Sequence, residues 1–233
     1  MYKTELHCHT NFSGCSDVDA AGVAEKYIAA EYTTVVITNH FNPGHMNREG
    51  SFKALVQGTF DAVKAVKECA GDKLNIIAGM ELTLKCMPND FLLYGDVENF
   101  VKEVGEEIFD LRPHQVRDRI HEIGGVIIQA HPFRFGQIVV NPADVDGIEV
   151  FNGHMGQRSY NEVAKHWALS WADWHRHDGS YILTSGSDHH HTWQQPVAGI
   201  GTEEPVADTE QLLAVLKSGN YHRITACLGD VEH

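Results

Sequence analysis

Seven short runs rich in β-branched and aromatic residues recur along this 233-residue chain, most of them separated by segments of helical periodicity. The runs are KTEL (3–6), TTVVIT (33–38), LNIIAGM (74–80), DFLLYG (90–95), GGVIIQA (124–130), GIEVFN (147–152) and YILTSGS (181–187). Helical periodicity covers 18–32, 52–69, 113–123, 159–177 and 209–217. Pro113 suits a first helical turn, and Gly124 suits a helix end running into a strand. Strands alternating with helices predict a mostly parallel sheet covered on its outer side. With about seven strands the economical closure is an α/β barrel, and barrel enzymes build their sites at the C-terminal ends of the strands.

Those strand ends carry the unusual chemistry of the chain, which has 16 histidines. In ELHCHT, His7 and His9 alternate with Leu6 and Cys8, so on an extended backbone the two imidazoles face the same way. Alone, such a pair is either a metal clamp or two weakly polar residues on a solvated edge. TTVVIT leads to Asn39 and His40, LNIIAGM to Glu81, GGVIIQA to His131, GIEVFN to Asn152 and His154, and YILTSGS to Asp188 and His190, while DFLLYG begins at Asp90. Taken singly, each is explained as a loop, cap or turn residue. Gathered at one barrel mouth, the carboxylates demand a counter-charge. Trp167, Trp171 and Trp174 follow an i, i+4, i+7 spacing and read as a packing stripe, or else as a substrate or subunit contact.

The formal charge of −14, from 32 Asp and Glu against 18 Lys and Arg, comes with no basic run. A polymer held by its phosphates needs a positive groove, so the expected partner is a small phosphorylated molecule and long nucleic acid is excluded. Five widely spaced cysteines without a CxxC pair make a poor disulfide framework. No apolar run reaches the roughly 18 residues that span a bilayer, and MYKTELHCHT is too polar for a signal segment. The expectation is a cytoplasmic protein with no membrane partner, folded as one domain over 1–233, with 201–233 forming a C-terminal helix and closing segment. Oligomeric state is not readable.

In chain order, ELHCHT, ITNH, GMEL, AHP and GSDHH resemble the motifs of the polymerase and histidinol phosphatase (PHP) family of metal-dependent phosphoesterases. HEIGGVIIQAHP and DGIEVFN extend the likeness over about residues 4 to 200. The resemblance implies a distorted (β/α)7 barrel holding two to three divalent ions, with zinc, manganese or iron suiting the ligands better than magnesium. It implies that His7, His9 and Asp188 bind a first ion and that Glu81 bridges it to a second. His131 would hold the second with Asp90, where many relatives have histidine, and His40 and His190 would hold a third. Three departures stand out: Asn39 where the family usually has aspartate, Asp90 itself, and Gly14 with Cys15 where an acidic residue or histidine is common. Cys15 lies six residues after His9, where some relatives place a histidine ligand. Its thiolate would complete the third site and favour zinc or iron; alternatively Cys15 is a small buried residue and Asp17 or water fills the place.

The implied reaction is hydrolysis of a small phosphate mono- or diester by water activated between metals, with Glu81 and Asp188 indispensable. Arg134 and Arg158 are the candidate phosphate contacts, since a guanidinium grips phosphate in a bidentate fork, with a surface salt bridge as the alternative for each. His154 is a candidate general acid for the leaving alcohol, or a loop histidine. The competing reading is a metal-binding domain that has lost catalysis and acts as a scaffold or regulatory partner, which the changes at Asn39 and Gly14 suggest.

Overall fold

Each of the seven runs forms a strand, and three short strands join them. In the computed structural model, described for residues 1–175 and 181–225, the strands in chain order are β1 (Tyr2–Cys8), β2 (Thr34–Ile37), β3 (His40–Phe41), β4 (Asn75–Thr83), β5 (Asp90–Tyr94), β6 (Val126–Gln129), β7 (Gly147–Asn152), β8 (Ile182–Gly186), β9 (Ala198–Thr202) and β10 (His222–Thr225). They form one sheet in the order β10-β9-β1-β2-β4-β5-β6-β7-β8, with β3 paired to β4. The sheet curls until its ends meet: Cys8 bridges His189 just past β8, and His9 N donates to His189 O at 3.1 Å. The result is the expected α/β barrel, with β9 and β10 added as an antiparallel flap on β1.

Among the seven expected runs, one forms a strand that opposes the mostly parallel direction. β5 is antiparallel to both β4 and β6, whereas β1–β2, β2–β4, β6–β7 and β7–β8 are parallel. Only residues 84–89 connect β4 to β5, too short for the crossover that parallel neighbours require. Reversal has a functional consequence: the first residue of β5, Asp90, pairs with Thr83 and so joins the barrel end where the other strands finish.

The helices are α1 (Ala20–Ala29), α2 (Pro43–Glu49), α3 (Phe52–Ala70), α4 (Val97–Val104), α5 (Pro113–Glu122), α6 (Asn161–His175) and α7 (Thr209–Ser218). Pro113 opens α5 as expected, and Asp19, Asn42, Ser51, Asp96 and Asp208 cap α1, α2, α3, α4 and α7 by accepting backbone N–H groups left free in the first turn. Of the proposed tryptophan stripe, Trp167 packs on the core beside Phe133, while the side chains of Trp171 and Trp174 lie outside the described residues. Leu6, Val36, Ile77, Leu92, Ile128 and Ile182, one from each of six barrel strands, pack as one buried cluster, so the barrel is filled below its site. Tyr27, Val35, Ile37 and Val66 seal α1 and α3 to the sheet, and Phe41, Met80, Phe100, Phe109 and Ile127 do the same under α4. Among the described residues no helix is long and apolar enough to cross a membrane.

Candidate metal centre

The strand ends bring His7, His9, His40, Glu81, Asp90, His131, Asp188 and His190 together. Four overlapping groups have ligand atoms mutually within 4.8 Å: His7 with His9 and Asp188, His7 with Glu81 and His131, His9 with His40 and His190, and His40 with Glu81 and Asp90. Glu81 is the hub. Its Oε1 lies 3.0 Å from His131 Nε2 and 3.3 Å from His7 Nε2, and its Oε2 lies 2.8 Å from His40 Nδ1 and 3.2 Å from His9 Nε2. Asp188 Oδ1 sits 3.1–3.4 Å from His7, His9 and His190. Asp90 stands further off, 3.9 Å from His131 Nε2.

Ring-proton positions follow from the hydrogen-bond partners. His7 Nδ1 lies 3.0 Å from Glu149 Oε1, which can only accept. His9 Nδ1 lies 3.1 Å from Ser13 Oγ, which already donates to Asn39 Oδ1 at 2.8 Å. Both Nδ1 atoms therefore carry protons, and the two Nε2 atoms face each other at 3.1 Å among carboxylate oxygens. Such crowding of acceptors requires positive charge at its centre. In the ion-free protein His7 supplies it: burial opposes the charge, but Asp188, Glu149 and Glu81 hold the imidazolium well above its ordinary range. His9 stays neutral, pushed down to about 3 by burial and by His190 and His40. Burial works against the Glu81 charge, yet His40 and His7 keep its carboxyl well below the usual range; His7, His190 and Arg134 do the same for Asp188.

The donors fit divalent ions. With metal–nitrogen bonds of about 2.0–2.1 Å, neighbouring ligand atoms of a tetrahedral or octahedral centre lie roughly 2.9–3.4 Å apart, which is the spacing found here. Glu81 Oε2 and His40 Nδ1 are both buried and, although close, are not aligned as donor and acceptor; they converge on a common point. His131 and Asp188 have positive φ, 27° and 49°, a conformation costing a non-glycine residue about 1–3 kcal/mol and typical of functional sites. Mixed imidazole and carboxylate donors suit zinc, manganese or iron without choosing among them.

A surrounding layer fixes these side chains. Glu149, buried within β7, accepts from His7 through Oε1 and from His131 N (3.0 Å) and Asn152 Nδ2 (2.9 Å) through Oε2. A Cβ on Gly186 would overlap His7 and the Glu149 carboxylate, so glycine there lets β8 approach this pair. Glu5, also buried, accepts from the backbone N–H groups of Leu6, His7 and Ser187 and from the Tyr27 hydroxyl, tying the β-bulge of β1 to the end of β8. Neither acid is among the residues expected from the sequence; for Glu149 the available signal is a carboxylate between the apolar residues of GIEVFN. Asn39, the departure from the family's aspartate, turns away from the centre: its Oδ1 accepts from Thr10 N, Thr10 Oγ1 and Ser13 Oγ. The ligand groups therefore form without it.

Cys15 is solvent-exposed rather than buried. Partial burial of the thiol raises its pKa, but hydrogen bonding with His190 and His40 outweighs this and brings it down to about 6. Asp17 instead accepts from Thr192 N at 2.7 Å. Arg134 Nη2 donates to Asp188 Oδ2 at 2.7 Å and to Asn152 Oδ1 at 2.8 Å, so it braces the cluster as well as facing the mouth. His154 accepts at Nδ1 from Gln194 Nε2 (2.9 Å) and packs on the His190 ring, and burial, with His190 and Arg134 adding to it, holds it near 4 against the pull of Asp188. Its neutral ring is a hydrogen-bond donor at Nε2, not a stored acid. Arg158 sits exposed in the turn Gly156–Ser159, with no described side-chain contact to the cluster.

A PHP domain profile matches residues 5–109, which include His7, His9, His40, Glu81 and Asp90. No curated protein matches the chain in sequence. Among solved structures, a two-domain Bacteroides vulgatus protein described as containing a predicted PHP-like metal-dependent phosphoesterase shares the fold with a TM-score of 0.64 at 14% identity, over 96% of this chain and 64% of that one. A Bifidobacterium adolescentis protein provisionally assigned as a metal-dependent phosphoesterase gives 0.56 at 17% identity, covering 92% of this chain and 96% of its own. Endonuclease Q bound to a 27-mer duplex with an abasic lesion at the active site gives 0.60 at 14% identity, over 95% of this chain and 57% of that one. The chain thus spans less than two thirds of the Bacteroides and endonuclease proteins, and at these identities the likeness is one of fold. It corrects the expectation of a small phosphorylated partner with long nucleic acid excluded, because endonuclease Q, which shares this fold, has been solved with a duplex substrate at its active site. Net charge averages over the whole surface, whereas the potential a phosphate meets is local to the mouth and changes sign with bound cations. The profile covers less than half of the chain, and together with the shared barrel it shows a likeness to PHP-domain proteins.

Proposed function

We propose that the protein hydrolyses phosphate esters at a two- or three-ion centre, with esters of nucleic acid within its substrate class. The observation that carries this reading is the set of facing acceptors in the mouth, His7 Nε2 and His9 Nε2 at 3.1 Å with Glu81 and Asp188 between them. His7, His9, Glu81 and Asp188 would hold one ion, Glu81, His131 and Asp90 a second, and His9, His40, His190 and Cys15 a third. Divalent ions there would polarise a phosphoryl oxygen, lower the pKa of water towards neutrality and offset the charge of the transferring group.

The protein's own side chains set up the rest. Glu149 and Ser13 keep the protons of His7 and His9 on Nδ1, so both Nε2 lone pairs face the mouth. Arg134 holds Asp188 through Nη2, and its Nε, buried without a hydrogen-bond partner, stands beside the cluster. It is the cationic group best placed to bind a phosphoryl oxygen. His154, whose Nδ1 accepts from Gln194 Nε2, keeps its proton on Nε2 and would donate it to an ester oxygen. Arg158, on the next turn, is a candidate for a more distant phosphate. The likeness to endonuclease Q supports including nucleic-acid esters. The test is phosphate or nucleotide release from a chromogenic phosphodiester and a 5′-phosphorylated oligonucleotide by protein reloaded with zinc, manganese or iron. Turnover that vanishes on chelation and returns with metal is expected; binding of metal without turnover of any ester would favour the scaffold reading instead.

A further inference from the structure

Rings continue outward from the metal-centre residues in an unbroken wall. The His9 ring lies 4.1 Å from that of His190, His190 lies 4.5 Å from His154, His154 lies 5.7 Å from His191, and His191 lies flat on Trp193 at 5.4 Å with 15° between planes. Trp193 ends the wall and is 72% exposed. Large aromatic side chains are ordinarily buried for their apolar area, so this exposure is unusual.

The indole is not on a loose loop. Gln194 Oε1 accepts from His190 N and His191 N at 2.7 and 2.8 Å, and Gln194 N donates back to His191 O at 2.9 Å. Asp17 Oδ1 accepts from Thr192 N at 2.7 Å, and Lys26 Nζ donates to Gln194 O at 2.8 Å. The turn is pinned on both sides of Trp193. One indole face is backed by His191, and the exposed remainder is a flat, preorganised apolar surface three residues from His190.

We propose that Trp193 is a stacking platform for the base of a nucleotide unit whose phosphate lies at the metal centre. This rests on the phosphoesterase reading and narrows its substrate. A wall that begins at a cation-binding, phosphate-attracting cluster and ends in a flat π surface fits one molecule bearing both an anion and a planar ring. Stacking on an indole is strong and tolerant of base identity because every base has a π face.

Equilibrium binding to metal-loaded protein tests this without requiring turnover. The ligands are a nucleoside 5′-monophosphate, ribose 5-phosphate and a 5′-phosphorylated oligonucleotide, and the proteins are parent, Trp193→Ala and Trp193→Phe with metal content measured in each. The parent is expected to prefer the nucleotide to ribose 5-phosphate. That ratio should fall roughly 5- to 100-fold in Trp193→Ala, the range for losing one base–aromatic stack, and largely survive in Trp193→Phe. Tighter binding of the oligonucleotide than of the mononucleotide would place the base in a strand, and equal affinity would place it in a free nucleotide; the platform stands in either case. No preference in the parent, or an unchanged ratio in Trp193→Ala, overturns it. A Trp193-dependent preference without turnover of any ester would overturn the phosphoesterase reading and leave the platform.

Discussion

Replacing Glu149 by glutamine removes one charge and keeps the shape of the residue that orients His7. Three donors converge on this carboxylate: His7 Nδ1–H on Oε1, and His131 N–H with Asn152 Nδ2–H on Oε2. Glutamine has a single acceptor oxygen, so its amide nitrogen must face either His7 or the other two. If the nitrogen faces His7, a buried charge-assisted bond worth about 1.5–3 kcal/mol is lost and the ring is free to turn or change tautomer. If it faces His131 and Asn152, two buried donors go unmet at about 1–3 kcal/mol each. Both routes reach His7 or His131, two of the proposed metal ligands. Outer partners of ligating histidines typically contribute 10–100-fold in metal affinity, or about 1.4–2.7 kcal/mol at the conversion of one tenfold step per 1.36 kcal/mol. The assay is zinc or manganese titration of metal-stripped Glu149→Gln and parent against a chromophoric chelator at fixed pH. A weakening of roughly 10–100-fold is expected; affinity within threefold of parent would refute the claim that Glu149 sets the His7 lone pair.

Asp188→Asn and Glu81→Gln should each abolish ester turnover while leaving the far-ultraviolet circular dichroism unchanged, and residual activity within tenfold of parent at saturating metal would sink their assigned roles. Arg134→Ala should lower kcat/KM by about 2 kcal/mol and, since Arg134 grips Asp188 at 2.7 Å, also loosen metal; unaltered metal retention would confine it to substrate contact. Cys15→Ser should lose one bound equivalent while the others remain, and unchanged stoichiometry with the same metal preference removes Cys15 from the third site. Metal uptake should release protons: burial opposes a charged His190, but Asp188 raises it to about 10, so protons compete with metal below that pH and affinity rises with pH. Calorimetry in two buffers of different ionisation enthalpy reads the proton count, and a count of zero contradicts this.

Strand positions and the residues gathered at the mouth were legible because both follow short-range rules. A β-branched run marks a strand, and a barrel puts the residue after each run at the mouth, where the structure clusters His7, His9, His40, Glu81, His131, Asp188 and His190. Direction was less legible. DFLLYG looks like its parallel neighbours, and only the shortness of residues 84–89 signals the reversal that delivers Asp90 from the start of a strand. Helices α2 and α4, 7 and 8 residues long, are too brief for a clear apolar period, though Asn42 and Asp96 mark their starts. Glu149 and Glu5 stand mid-strand, away from the strand ends where the sequence argument looks for ligands, and only tertiary closure shows which donors surround them. Net charge misleads for a different reason: a whole-chain sum does not give the potential local to the mouth.

The central claim is that the crowded acceptors at the barrel mouth exist to hold divalent ions. Anomalous scattering from crystals of the parent protein grown with manganese or zinc tests it most directly. Peaks are expected within bonding distance of His7 Nε2 and His9 Nε2, bridged by Glu81 to a second peak at His131, and should disappear from Asp188→Asn crystals grown identically. Fully loaded crystals with no anomalous peak at the mouth, and the His7 and His9 rings still facing each other across a shared proton, would contradict it.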